Sequence, residues 1–143
     1  MTAQEYLEQV KSQDRRVKMM RTKLRMLREA LDLKGVSYES DGSKVSSRQT
    51  DKMAEAIGRI IDYEKEVKEE EAKLTILRFE AEKAIQSLDD SNEREVLERM
   101  YLLFQPVDVI KKEMQYSRSS IFEFRKKGLE NLEKSGLVWT VLD

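Results

Sequence analysis

Apolar residues recur along the chain at alternating steps of four and three, and this rhythm lays out most of its elements. Tyr6, Val10, Gln13, Val17, Met20, Leu24, Leu27 and Leu31 keep heptad spacing with only Gln13 strongly polar, so 2–33 is expected to be one helix presenting a coiled-coil seam. At 1.5 Å per residue it would be roughly 45 to 50 Å long. Thr2 is its expected N-cap, with Glu5 three residues on completing a capping box. Lys34 to Arg48 breaks the rhythm with Gly and Ser, which predicts a loop over 34–48. Met53, Ile57, Ile60, Val67, Leu74, Leu77, Ala81, Ile85 and Leu88 resume it. They predict a second helix from about Thr50 to Leu88, with a weaker seam because Glu64 and Glu71 interrupt it.

Shorter elements follow. Asp89-Asp90-Ser91-Asn92 carries capping chemistry, and Val96, Leu97, Met100, Tyr101 and Phe104 give Glu93 to Phe104 helical spacing. Pro106 opens another helix after a short break, with Val107, Ile110 and Met114 on its inner face. Gln115-Tyr116-Ser117 reads as a turn with Tyr116 inward. Ser117 caps a last helix that buries Ile121, Phe124, Leu129 and Leu132. Gly136 stops that helix, leaving the apolar, β-prone tail Leu137 to Leu142. An apolar tail in water favours association, so Trp139 is expected to dock on its own domain, with RNA polymerase or another protein as the alternative contact.

The expected architecture is all-α, a long coiled-coil-like helical hairpin followed by a three-helix domain. Residues 1–90 form the hairpin, 91–135 the three-helix domain and 136–143 the tail. A two-helix hairpin has no third layer over its apolar face, which points to a symmetric homodimer built as a four-helix coiled coil. The expected oligomerisation seam is Val10, Val17, Met20, Leu24, Leu27, Leu31, Ile57, Ile60, Val67 and Leu74.

Composition narrows the chemistry. Charged residues make up 38% of the chain, and it has neither Cys nor His. That excludes disulfides, thiolate sites and ordinary structural zinc, and it removes the commonest general base. Glu69, Glu70 and Glu71 are consecutive, and side chains about 100° apart on a helix cannot converge on one cation. No Gly-rich phosphate loop or nucleophile–base constellation appears, so no enzyme activity, cofactor, metal or small-molecule substrate is expected. No apolar run reaches the roughly 20 residues of a membrane span. Glu5 and Glu8 stand where a signal peptide needs an apolar core, and the expected location is the cytoplasm of the cell that makes the protein.

The net charge of −1 hides a segregation. Between Lys11 and Arg28, the first helix sets Lys11, Arg15, Arg16, Lys18, Arg21, Lys23, Arg25 and Arg28 against one acid, Asp14, while the second helix is modestly acidic. The basic run is either a phosphate-contacting arm or a pairing surface, and the acidic second helix favours pairing.

The C-terminal third holds the sharpest signal. A helix, a three-residue turn and a longer helix carrying Arg118, Arg125, Lys126 and Lys127 follow the order of a helix-turn-helix. The N-terminal side chains of a recognition helix meet base edges in the major groove, where Arg can pair with guanine bidentately. Lysines nearby can neutralise phosphates. This segment, with Val96-Leu97, Met100-Tyr101, Ser117-Arg118-x-x-Ile121 and Gly128-Leu129-x-x-Leu132, resembles region 4 of the housekeeping-type (sigma-70) bacterial sigma factors. With its N-terminal helices the chain is similar to small bacteriophage-encoded sigma-70 region 4-like proteins, including late-operon transcriptional regulators. The resemblance implies sequence-specific binding of double-stranded DNA by a recognition helix at about 118–134. It places Arg118, Ser119 and Glu123 against bases and Ser117, Ser120, Arg125, Lys126 and Lys127 against the backbone. The chain departs from the pattern at two positions. Lys111 stands where the first helix of many such units has a small residue. Phe122 replaces a residue that is usually polar, and could meet a thymine methyl, pack on the hairpin or face a protein partner.

Two other functions use the same elements. A DNA-packaging accessory protein of small-terminase type would assemble as a closed ring of subunits rather than a dimer. A coiled-coil adaptor that binds no DNA would be indifferent to loss of Arg118.

Overall fold

The computed structural model describes residues 1–41 and 47–140, with side chains described at 1–32 and 48–140. All regular structure among the described residues is helical. The elements are α1 (Ala3–Asp41), α2 (Ser47–Gln86), α3 (Ser91–Leu97), a π-helical turn (Glu98–Leu102), α4 (Val107–Met114) and α5 (Arg118–Lys134). No helix among the described residues is long and apolar enough to cross a membrane.

Local sequence explains most of the helix starts. The Thr2 amide donates to Glu5 Oε2 at 3.0 Å and the Glu5 amide to Thr2 Oγ1 at 3.1 Å, which is the reciprocal capping box. Asp90 caps α3 by accepting from the amides of Asn92 and Glu93. The expected loop at 34–48 is corrected. α1 runs through Gly35 to Asp41 and α2 begins at Ser47, so what remains of it, 42–46, lies outside the described residues. Extending a long helix by one residue avoids the cost of nucleation, and a glycine inside it costs only about 1 kcal/mol relative to alanine.

The expected helix from Glu93 to Phe104 is also shorter. α3 ends at Leu97, and the wider turn follows, closed by the Leu103 amide on the Glu98 carbonyl at 2.9 Å and the Gln105 amide on the Arg99 carbonyl at 2.8 Å. Phe104 lies beyond it in the left-handed region at φ 54°. Pro106 keeps the helix from continuing, because it disfavours the helical region at Gln105, the residue before it, and offers no amide to extend the ladder.

The chain divides into two compact units, Met1–Asp14 with Lys73–Asp143, and Arg15–Ala72. The expected border at 90 is replaced by one inside both long helices, because the start of α1 and the end of α2 pack as part of the C-terminal core. In the first unit Ala3, Tyr6, Leu7, Val10, Leu77, Ala81, Ile85, Val96, Leu97, Ile110, Ile121 and Leu132 are all buried. The Tyr6 hydroxyl donates to the Leu77 carbonyl at 2.8 Å. Asp14, also buried, accepts from Arg78 at 2.9 Å. The tail docks here as well, with Trp139 stacked on Tyr6 at 4.4 Å and Thr140 bonded to Glu80 and Gln9.

The second unit is thinner. Met20, Leu24, Ile60 and Val67 form its core, with Leu31 and Tyr63 against them. Arg16–Glu70, Arg21–Glu71 and Arg28–Glu64 ion pairs, at 3.6, 2.9 and 2.5 Å, join its two antiparallel segments. Three arginines of the basic run are therefore engaged in pairing. Most of the expected oligomerisation seam is likewise filled inside one chain. Val10, Val17, Met20, Leu24, Ile60, Val67 and Leu74 are buried and Leu31 is half-buried, whereas Leu27 and Ile57 remain 46% and 42% exposed. A heptad stripe is satisfied by whichever helix reaches it first, and here that helix belongs to the same chain. Met19, Met26 and Ile61 are exposed apolar residues that the seam did not include.

Candidate nucleic-acid interface

α4 starts at an extended Pro106 and ends on Gln115, a left-handed residue at φ 57° whose amide donates to the Lys111 carbonyl. Placing a non-glycine residue there costs roughly 1 kcal/mol. The chain turns back through Tyr116, and Ser117, extended at φ −71° and ψ 160°, caps α5 by accepting from the Ser120 amide at 3.2 Å. The turn thus falls at 115–117 as the sequence suggests. Tyr116 departs from expectation, because it is exposed rather than inward. Its hydroxyl accepts from Asn92, and its ring meets Phe124 edge-on at 5.0 Å.

Four features fix α5 on its neighbours. Ile110, Ile121, Leu129 and Leu132 are buried, Val107, Met114 and Phe124 half-buried. Gly128 brings α5 close to α3, since a Cβ built on it would lie 2.9 Å from Leu97 Cδ1 and 3.4 Å from Glu93 Cβ. Buried Glu93 accepts from Asn131 at 2.7 Å. Arg125 donates to the Tyr101 hydroxyl at 3.0 Å, and Lys11 lies 5.7 Å from the centre of the Tyr101 ring. Burial raises the Tyr101 pKa, while the Arg125 hydrogen bond and charge pull it down. Lys111, at the anticipated crossing point of α4, is half-buried, and the close approach made at Gly128 is to α3 instead.

The outward side of α5 gathers most of the sequence-derived candidates. Arg118, Ser119, Glu123, Lys126 and Lys127 are exposed, as is Ser117, whereas Ser120 and Arg125 are half-buried. Ser117 and Ser120 are engaged with each other at the cap. Arg125 differs from the other cations because its guanidinium is turned to Tyr101. Glu123 and Lys127 approach to 3.8 Å one helical turn apart, a surface pair of about 0 to 1 kcal/mol. The Arg118 guanidinium lies over the Phe122 ring, 5.3 Å from its centroid.

Gly128, Glu93 and Asn131 position this face although sequence reasoning gave them no such role. A glycine inside an otherwise amphipathic helix was the available sign of close packing. Tyr101 and Arg125 left no comparable sign, since their contact joins elements 24 residues apart. No family model, curated protein or solved structure matches this chain.

Proposed function

We propose that the chain is a duplex-DNA-binding transcriptional regulator of the bacteriophage, sigma-region-4-like kind, with α4 and α5 as its helix-turn-helix and α5 lying in the major groove. One observation carries the reading. Arg118, Ser119, Glu123, Lys126 and Lys127 stand exposed along a helix whose N-terminus is capped and which Ile121, Gly128 and Leu132 anchor to its neighbours. A rigid helix with polar groups along its first two turns suits base-edge contact, and the positive end of its dipole favours a phosphate nearby. Arg118, Ser119 and Glu123 are the base-facing residues of this proposal, and Lys126 and Lys127 the backbone contacts. Arg125 serves as an anchor rather than a phosphate ligand. The N-terminal helices pair two such heads in a homodimer. The exposed apolar positions on these helices include Met19, Met26, Leu27, Ile57, Ile61, Ile76 and Phe79.

The test is a fluorescence anisotropy titration against duplex fragments of the encoding genome at about 50 and 200 mM salt. Wild type should bind one fragment preferentially and weaken steeply as salt rises. The triple variant Arg118→Ala, Lys126→Ala, Lys127→Ala should bind at least roughly tenfold more weakly, with a log–log salt slope shallower by about 2. Equal binding by the variant would remove this face from the proposal, and sedimentation as a closed ring rather than a dimer would favour the packaging role.

A further inference from the structure

Phosphate binding gives no reason for Phe122. It sits in the second turn of α5 with 38% of its surface exposed, and its neighbours on the outward side, Ser119, Glu123 and Lys126, are polar. The Arg118 guanidinium covers part of the ring from one turn away. Among the described residues no carboxylate forms an ion pair with Arg118. A guanidinium held near a ring face can keep N–H donors available, and the contact limits the conformations lost when those donors find a partner.

We infer that Arg118 and Phe122 together read one dinucleotide step in duplex DNA, a thymine beside a guanine. Arg118 donates to O6 and N7 of the guanine, and the Phe122 ring packs on the 5-methyl group of the thymine. In the major groove these two features are what distinguish those bases, and an aromatic ring is an apolar surface suited to the methyl. The inference rests on α5 entering that groove. A nucleic acid fits this surface better than a protein partner does. The residues flanking the ring along α5, Arg118, Ser119, Glu123 and Lys126, are hydroxyl-bearing or charged, whereas protein docking sites centre on contiguous apolar patches.

A random-sequence duplex library enriched on wild-type protein supplies the probe. The enriched consensus is then remade with deoxyuridine replacing each thymidine in turn, which removes only the 5-methyl group. The consensus should contain a thymine next to a guanine. At that thymine wild type should lose roughly fourfold in affinity, the worth of one buried methyl. Phe122→Ala should bind the thymine and uracil duplexes equally, Phe122→Leu should keep part of the difference, and Arg118→Lys should lose the guanine preference while keeping the methyl effect. Equal wild-type affinity for the two duplexes overturns the inference while leaving DNA binding intact. So does a Phe122→Ala protein that still discriminates them, whether or not it loses a protein partner. If no duplex is retained in a salt-dependent way, DNA binding itself fails and the inference falls with it.

Discussion

In Arg15–Ala72 five apolar side chains, Val17, Met20, Leu24, Ile60 and Val67, are buried, with arginine–glutamate pairs at the edges. The other unit uses the remaining parts of the same two helices, yet it buries Tyr6, Leu7, Leu77, Ile85, Leu97, Ile110, Ile121 and Leu132 nearly completely. Helix propensity does not separate them, because both draw on α1 and α2. The number of surfaces that meet does. Two helices share one seam, while the ends of α1 and α2 acquire α3, α4 and α5 as further walls. Both units leave apolar residues in water, Met26 in one and Phe79 in the other, but only the multi-walled core holds α5 in place.

The largest test of this contrast is truncation of one leucine in each unit. Leu97→Ala should cost about 3 to 4 kcal/mol, and Leu24→Ala about 2 kcal/mol because a two-helix seam can collapse around the gap. Urea denaturation followed by circular dichroism measures both, and equal losses would break the comparison. Gly128→Ala sharpens it. Alone it should cost about 1 to 2 kcal/mol by overpacking, and in the Leu97→Ala background it should be nearly neutral, since the Cδ1 that opposes the new methyl is gone.

A smaller effect separates the units by pH. Burial, reinforced by the nearby charge of Glu80, raises Tyr6 well above the ordinary tyrosine range, and burial raises Tyr101 as well. The folded first unit therefore holds these protons more tightly than the unfolded chain does. Their stabilising contribution is complete below about pH 10, where unfolded tyrosine ionises, and is lost as pH climbs from there toward the folded values. Melting temperatures across the alkaline range should fall above that point, and Tyr6→Phe should fall less steeply from a lower plateau, having lost its bond to Leu77. The smallest effect belongs to the second unit. Glu64→Gln should cost no more than about 1 kcal/mol, and the difference should vanish in about 1 M salt, where exposed pairs are screened. A salt-independent loss would mean that burial rather than charge holds the Arg28–Glu64 contact.

What could be read from sequence was what the chain decides locally. The Thr2–Glu5 box, the Asp90 and Ser117 caps and the turn at 115–117 each depend on a few adjacent residues, and all are present. The loop at 34–48 was overestimated because Gly and Ser advertise a break that an already formed helix can run through. The heptad pattern records that a partner helix exists and not which chain supplies it, so the sequence alone does not divide the seam between the hairpin and a second copy. Tyr116 outside rather than in, and Arg125 bound to Tyr101, depend on how α5 is rotated against its neighbours. Periodicity fixes that rotation only to within a residue or so.

Trp139 is the chain's one tryptophan, and it is stacked on Tyr6 beside the first turn of α1. Its emission therefore reports a single event, the seating or release of the C-terminal strap, with no background from other indoles. Because α5 itself carries no indole, a titration watched at this wavelength distinguishes ligands that disturb the strap from those that occupy only the outward side of α5.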